Sequence, residues 1–349
     1  MTTPDHLAWM RRAIHLARMA EGCTSPNPMV GAVVVHDGVI MGEGYHQGAG
    51  TPHAEVHAIN AVKDRSLLPE STMYVSLEPC SHHGRTPPCT ELIISSGIRR
   101  VVIGTADTNP QVAGRGAEQL RQAGVEVITG VAEQECRRIN RRFFTWHERK
   151  RPYVILKWAR SADGFIDLQR KPGDPAEPNW ITGRAERLLV HRWRAAEDAI
   201  LAGGGTVRAD NPALTVRLWN GKNPVRIIVS RSANMDPRSA VFDGSAETIL
   251  LTCNDRAAFP GARTYMLSDG DGFIEEILKI LYDLGIQSLF VEGGAFIIRS
   301  FIESGLWDEA RRFTGRNTFN NGVPDPFPLL IPAETISFEK SILEFAYHF

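Results

Sequence analysis

Three side chains spread along the chain, His53, Cys80 and Cys89, constrain what it can fold into more than any other feature. One His and two Cys form the donor set of a tetrahedral zinc that keeps a fourth position open for water, the layout of a catalytic site. A fold that uses them must bring all three to one point. Two bland readings compete: the thiols and imidazole are ordinary core side chains, or His82 or His83 completes a closed structural clip.

Glu55 follows His53 by two residues, and Pro79 precedes Cys80. If His53 opens a helix, that offset aims the Glu55 carboxylate at the open zinc position, where it can move a proton between water and a leaving amine. His-x-Glu followed by Pro-Cys and a second Cys is the pattern of zinc-dependent deaminases. Their usual Cys-x-x-Cys spacing is replaced here by Cys80-Ser81-His82-His83-Gly84-Arg85-Thr86-Pro87-Pro88-Cys89, a long polar insert. Its residues 82–86 are placed to contact a small substrate or merely to wrap the metal.

At 349 residues the chain suits two domains, and 43% hydrophobic with 23% charged residues is a globular composition. The net charge of -1 gives no long-range pull on nucleic acid, and the Arg137-Arg138/Arg141-Arg142 cluster reads as a solvated helix face. Five cysteines, an odd and sparse set, imply a reducing compartment. With scattered charges at the N-terminus and no membrane-length apolar stretch, a cytoplasmic protein without membrane contact is expected.

Apolar periodicity predicts a first helix over 5–20, a strand over 30–35, a turn at Asp37-Gly38 and a return strand over 39–45. Helices over 54–62, 90–96 and 116–123 then alternate with strands over 72–77, 100–104 and 125–128, and one basic helix over 132–147 closes the unit. This predicts an α/β sheet with helices on both faces. The charged run Glu148 to Pro152 reads as a boundary, giving domains 1–147 and 150–349. In the second half, strands over 153–159, 199–202, 225–230, 248–252 and 289–294 accompany helices over 183–194, opened by Thr182, and 272–284. A further helix starts at Ala295. Residues 171–178 and 324–332 read as loops, with one more strand in the tail.

Gly203-Gly204-Gly205-Thr206 and Gly293-Gly294 both end apolar strands. Glycines there let a backbone approach a ligand, and tight strand packing explains them equally well.

With Asn27-Pro28-x-Val30-Gly31, His53-Ala54-Glu55, the Glu78 to Cys89 insert, Leu156-Lys157, Asp163-Gly164, Trp180-Ile181-Thr182, Asp210-Asn211-Pro212 and Val291-Glu292-Gly293-Gly294 in order, the chain resembles the bifunctional riboflavin-biosynthesis deaminase-reductases. The resemblance covers nearly the whole chain. It implies a cytidine-deaminase-like α/β/α domain followed by a dihydrofolate-reductase-like α/β domain, one Zn2+ and NADPH. It further implies a phosphoribosylaminopyrimidine substrate, deaminated and then reduced from ribosyl to ribityl, and a homo-oligomer. By position, cofactor contacts fall on Arg160, Trp180, Thr206, Asp210 and Gly294-Ala295-Phe296-Ile297-Ile298-Arg299-Ser300. Substrate contacts fall on Arg194, Leu214, Arg217 and Glu292, with Arg194 and Arg217 on the phosphate. Lys157 and Asp163 are candidates to position sugar or cofactor, and Arg231 to meet a 2′-phosphate. The rivals are a nucleic-acid-editing zinc deaminase with a binding appendage, which needs a basic surface, and a zinc-stabilised binding protein without turnover.

Overall fold

Asp37 and Gly38 take φ of 47° and 74°, which folds β1 (Gly31–His36) back onto β2 (Val39–Tyr45) as an antiparallel hairpin. The computed structural model describes residues 5–83, 87–108, 114–170, 177–270 and 272–348. They form two compact units, Met1–Lys150 and Arg151–Phe349.

In the first unit β1 also pairs antiparallel with β3 (Thr72–Leu77), and β4 (Arg100–Thr105) and β5 (Glu126–Thr129) follow in parallel, giving the order β2-β1-β3-β4-β5. Strand side chains alternate between faces, and here both faces are buried. Ala32 and Val34 join Met73, Val75, Val101 and Ile103 under α2 (Ala54–Ala61), α3 (Cys89–Ser95) and α4 (Arg115–Gln122). Val33, Val35, Tyr74 and Val102 face α1 (His6–Arg18) and α5 (Glu133–Ile139). The α/β/α sandwich expected from the alternation is the observed one.

The single helix expected over 132–147 is two, α5 and α6 (Arg141–Arg149), parted at Asn140. The Asn140 side chain accepts from the Met29 amide at 2.7 Å and donates to its carbonyl at 2.8 Å. These two bonds tie Asn140 to the segment leading into β1 at the point where the two helices part.

In the second unit the sheet runs β11-β10-β9-β8-β12-β6-β13-β16-β15. The strands are β6 (Tyr153–Arg160), β8 (Ala199–Gly203), β9 (Val225–Val229), β10 (Thr248–Thr252), β11 (Ala262–Met266), β12 (Ser288–Val291), β13 (Glu309–Gly315), β15 (Glu334–Ser337) and β16 (Ser341–Tyr347). From β11 to β13 neighbours are parallel, and the last two pairings are antiparallel. A short pair, β7 (Phe165–Asp167) with β14 (Val323–Pro324), stands apart. Helices α7 (Arg184–Ala196), α8 (Gly204–Asp210), α9 (Phe273–Asp283) and α10 (Ala295–Ser304) accompany the sheet, and apolar clusters fill both of its faces.

The expected start of the helix over 183–194 is corrected as well. Gly183, not Thr182, precedes α7, and no side chain caps it. Gly203 ends β8 and runs straight into helix α8. β13, for which the sequence gives no strand signal, carries Glu309, Arg311 and Arg312, and all three are buried, Arg311 on Glu309 and Arg312 on Glu344 and Asp325. Mutual pairing makes these charges compatible with a central strand. Part of the loop expected over 171–178, residues 171–176, lies outside the described residues.

Candidate active sites

In the first unit His53 sits in extended backbone immediately before α2, Cys89 is the first residue of α3, and Cys80 follows β3. Their ligand atoms converge: His53 Nδ1 lies 3.3 Å from Cys89 Sγ and 3.6 Å from Cys80 Sγ. Zinc bonds of about 2.0–2.1 Å to nitrogen and about 2.3 Å to sulfur at tetrahedral angles demand an N···S edge of about 3.6 Å. The three donors therefore fit zinc as they stand. Among the described residues this is the group able to hold a metal. His83 instead meets Glu91 at 2.9 Å on the surface, so it does not close the site, and residues 84–86 of the insert lie outside the described residues.

Cys89 donates its amide to Cys80 Sγ at 3.3 Å. The Cys89 thiol and then the His53 ring stabilise a thiolate that pulls the Cys80 pKa down to about 4 against the cost of burial, and that contact pushes the Cys89 thiol up. His53 is held above its ordinary value by Cys80. Glu55, on the first turn of α2 and 3% exposed, has its carboxyl pushed up by burial, against the opposing pull of His53. A buried carboxyl with a raised pKa can both take up and release a proton near neutrality.

Two residues to which the sequence reading gives no role support this centre. His46, 2% exposed, meets the Pro52 carbonyl through Nδ1 at 3.2 Å and the Asn27 amide through Nε2 at 3.1 Å, with its ring edge-on to His53. Glu78 accepts from the amides of Asp107, Gly114 and Ala117 at 3.2, 3.0 and 3.0 Å, fixing the strand end that delivers Cys80. A buried Glu directly before Pro-Cys is the one available sequence signal for the second.

In the second unit the C-terminal ends of β6, β8 and β12 lie side by side, where open parallel sheets bind ligands. The two glycine segments meet there: the Gly294 amide donates to Thr206 Oγ1 at 2.9 Å. Gly293 is a packing glycine, since a Cβ on it would lie 2.7 Å from Ala202 Cα and Gly203 N. Gly205 has open space around its Cα and carries the ligand reading better.

Glu292 is the hub of the charged residues. Arg194 grips it through Nε–Oε1 at 2.6 Å and Nη2–Oε2 at 2.9 Å, and Lys157 Nζ lies 3.6 Å away. Burial alone would raise the Glu292 pKa, but Arg194 and Lys157 override it and hold it at about 2. Burial pulls Lys157 down. Arg194 spends another donor on the Thr215 carbonyl at 3.1 Å. Arg217 is exposed, and among the described residues its side chain bonds within its own loop to Thr215 Oγ1 at 2.9 Å, so it offers its guanidinium outward more freely than Arg194.

The remaining positions divide. Asp210 pairs with Arg170 at 2.9 Å, and burial raises its pKa to about 6. Trp180 is 60% exposed with the Arg187 guanidinium over its ring. Arg160 is held by Thr314 and Asp325, and Leu214, Ile297 and Ile298 are buried in the core. The side chains of these last four are occupied within the fold. Phe296 is exposed and stacked on Phe273, Arg299 is exposed, and Ser300 donates to the Phe296 carbonyl. Arg231 lies over Phe273. Asp163 accepts from Ser161 and from the amides of Phe319 and Asn320, a loop-holding role.

Comparison with known proteins places both sites in context. Residues 3–105 match the family described as cytidine and deoxycytidylate deaminase zinc-binding region, and residues 152–315 match the RibD C-terminal domain. Riboflavin biosynthesis protein RibD of Bacillus amyloliquefaciens is 44% identical over 310 residues, covering 86% of this chain and 82% of that protein. RibD of Aquifex aeolicus is 42% identical, covering 90% and 88%. The solved structure of a diaminohydroxyphosphoribosylaminopyrimidine deaminase/5-amino-6-(5-phosphoribosylamino)uracil reductase from Thermotoga maritima is 39% identical and superposes with a TM-score of 0.87 over 98% of each chain.

Proposed function

Because the chain belongs to the RibD family of riboflavin-biosynthesis proteins, we propose that its two units divide two successive reactions, deamination in Met1–Lys150 and reduction in Arg151–Phe349. The protein is a bifunctional deaminase and NADPH-dependent reductase. The first reaction hydrolyses the amine of 2,5-diamino-6-(5-phosphoribosylamino)pyrimidin-4(3H)-one, releasing ammonia. The second reduces the ribosyl group of the resulting uracil to ribityl. The observation that carries this reading is the convergence of His53 Nδ1, Cys80 Sγ and Cys89 Sγ at zinc-ligand spacing with buried Glu55 beside them.

His53, Cys80 and Cys89 hold the metal. Zinc, when bound, supplies a Lewis acid that lowers the pKa of water at its open position. Glu55 moves the proton, taking it at a carboxylate oxygen and returning it to the leaving ammonia. In the second unit NADPH supplies the hydride. Gly205, Thr206 and Gly294 at the strand ends, together with Trp180 and Asp210, would hold the dinucleotide. Glu292, fixed by Arg194 and Lys157, faces the sugar, and Arg217 meets the phosphate by charge-assisted hydrogen bonds.

A free nucleotide-like substrate suits the -1 net charge better than nucleic acid does. The five free thiols support a reducing, cytoplasmic setting, and no helix among the described residues is long and apolar enough to cross a membrane. The test of function supplies the diamino ribotide and follows ammonia and NADPH separately. Both signals are expected; ammonia without NADPH oxidation in folded protein would remove the reductase half of the reading.

A further inference from the structure

Residues 214–217 run without regular secondary structure, so their backbone polar groups need partners from elsewhere. Side chains supply them one by one. Arg194 donates to the Thr215 carbonyl at 3.1 Å, Asn223 Oδ1 accepts from the Val216 amide at 2.8 Å, and His191 Nδ1 accepts from the Arg217 amide at 3.0 Å. His191 and Arg194 are three residues apart on α7 and so share one face of that helix. Arg194 is itself anchored on Glu292. The helix thus fixes the loop at two points, one of them at the residue that presents its guanidinium outward.

We propose that His191 is a positioning residue of the reductase site, a neutral imidazole whose Nδ1 holds the Arg217 main chain so that the Arg217 side chain meets the substrate phosphate. This rests on the reading that Arg217 contacts the substrate. An amide can donate to Nδ1 only while that nitrogen is unprotonated, which places the ring proton on Nε2. The surroundings keep it so. His191 is 6% exposed, and burial first, then Arg194 and Arg217, bring its pKa down to about 4. Lys157 on β6 adds to this, and Glu292 beyond β12 opposes it. The acceptor is therefore available throughout the neutral range.

Steady-state kinetics of the full chain with NADPH and the phosphorylated reductase substrate test the proposal. His191→Leu, which lacks an acceptor, is expected to raise KM for the phosphorylated substrate about tenfold while kcat and KM for NADPH stay within about twofold. His191→Asn, whose Oδ1 occupies the place of Nδ1, is expected to bring KM back to within about threefold of wild type. Arg217→Ala should raise the same KM, and adding His191→Leu to it should change nothing further, since both act through one guanidinium. If Arg217→Ala leaves KM unchanged, the underlying reading of Arg217 fails. If Arg217→Ala raises KM and His191→Leu does not, the His191 inference alone fails. An equal rise in KM for NADPH, or an Asn variant that rescues nothing, overturns positioning in favour of general packing. Where His191→Leu does not fold, His191→Gln, whose amide reaches the Nε2 position instead, serves as the variant without an Nδ1 acceptor, and the same outcomes decide.

Discussion

Arg194 and Glu292, 98 positions apart in the chain, meet in a two-point ion pair with N···O distances of 2.6 and 2.9 Å. Both are nearly buried, with side-chain exposures of 12% and 8%. A buried carboxylate that loses such a partner keeps its desolvation cost without compensation. Arg194→Ala should therefore destabilise the second unit by about 3 kcal/mol, with Lys157 limiting the loss. Its thermal transition should fall by several degrees while that of the first unit stays in place, which calorimetry of the full chain resolves.

The same pair sets an acid limit. The folded Glu292 pKa of about 2 lies below its ordinary 4.5, so the folded state holds fewer protons than the unfolded state between these values. Its contribution is complete above pH 4.5 and is lost as pH falls toward 2. Urea midpoints of the second unit should drop on acidification through this window, and more steeply in the wild type than in Glu292→Gln. Parallel slopes would contradict the assignment.

Zinc should track the three donors. Cys80→Ser or Cys89→Ser should bind less than one zinc per chain and lose ammonia release, while reduction of an already deaminated substrate continues. Metal analysis of the purified variants, with NADPH oxidation as the control, checks this.

Asn140 takes both polar groups of Met29 at 2.7 and 2.8 Å. Asn140→Ala leaves a half-buried amide and carbonyl unmatched and should destabilise the first unit by about 1 kcal/mol. Denaturant unfolding of that unit measures it, and a change within error would show that the two bonds do not stabilise it.

What could be read in advance follows physical lines. Hydrophobic periodicity marks β1 to β4 and α1 to α4 within a residue or two of their ends, because the strands are apolar runs and the helices bury one regular stripe, and the His53/Glu55/Cys80/Cys89 chemistry is written in residue types that serve few other purposes together. Charged strands such as β13 are invisible to periodicity, since Arg311 and Arg312 are neutralised by partners that only the fold supplies. Edge strands β11 and β15 fail for a different reason, being mostly exposed. Positioning residues fare worst. Glu78 and His191 act through backbone amides of segments distant in sequence, and no local pattern reports such a bond.

The account stands most directly on Glu55. Glu55→Gln preserves volume and the zinc donors and removes only the proton carrier. Given the diamino ribotide and NADPH, this variant should bind one zinc per chain, release ammonia at least about 100-fold more slowly than wild type, and oxidise NADPH at the wild-type rate once the deaminated substrate is added. Ammonia release at the wild-type rate from the zinc-loaded variant would contradict it.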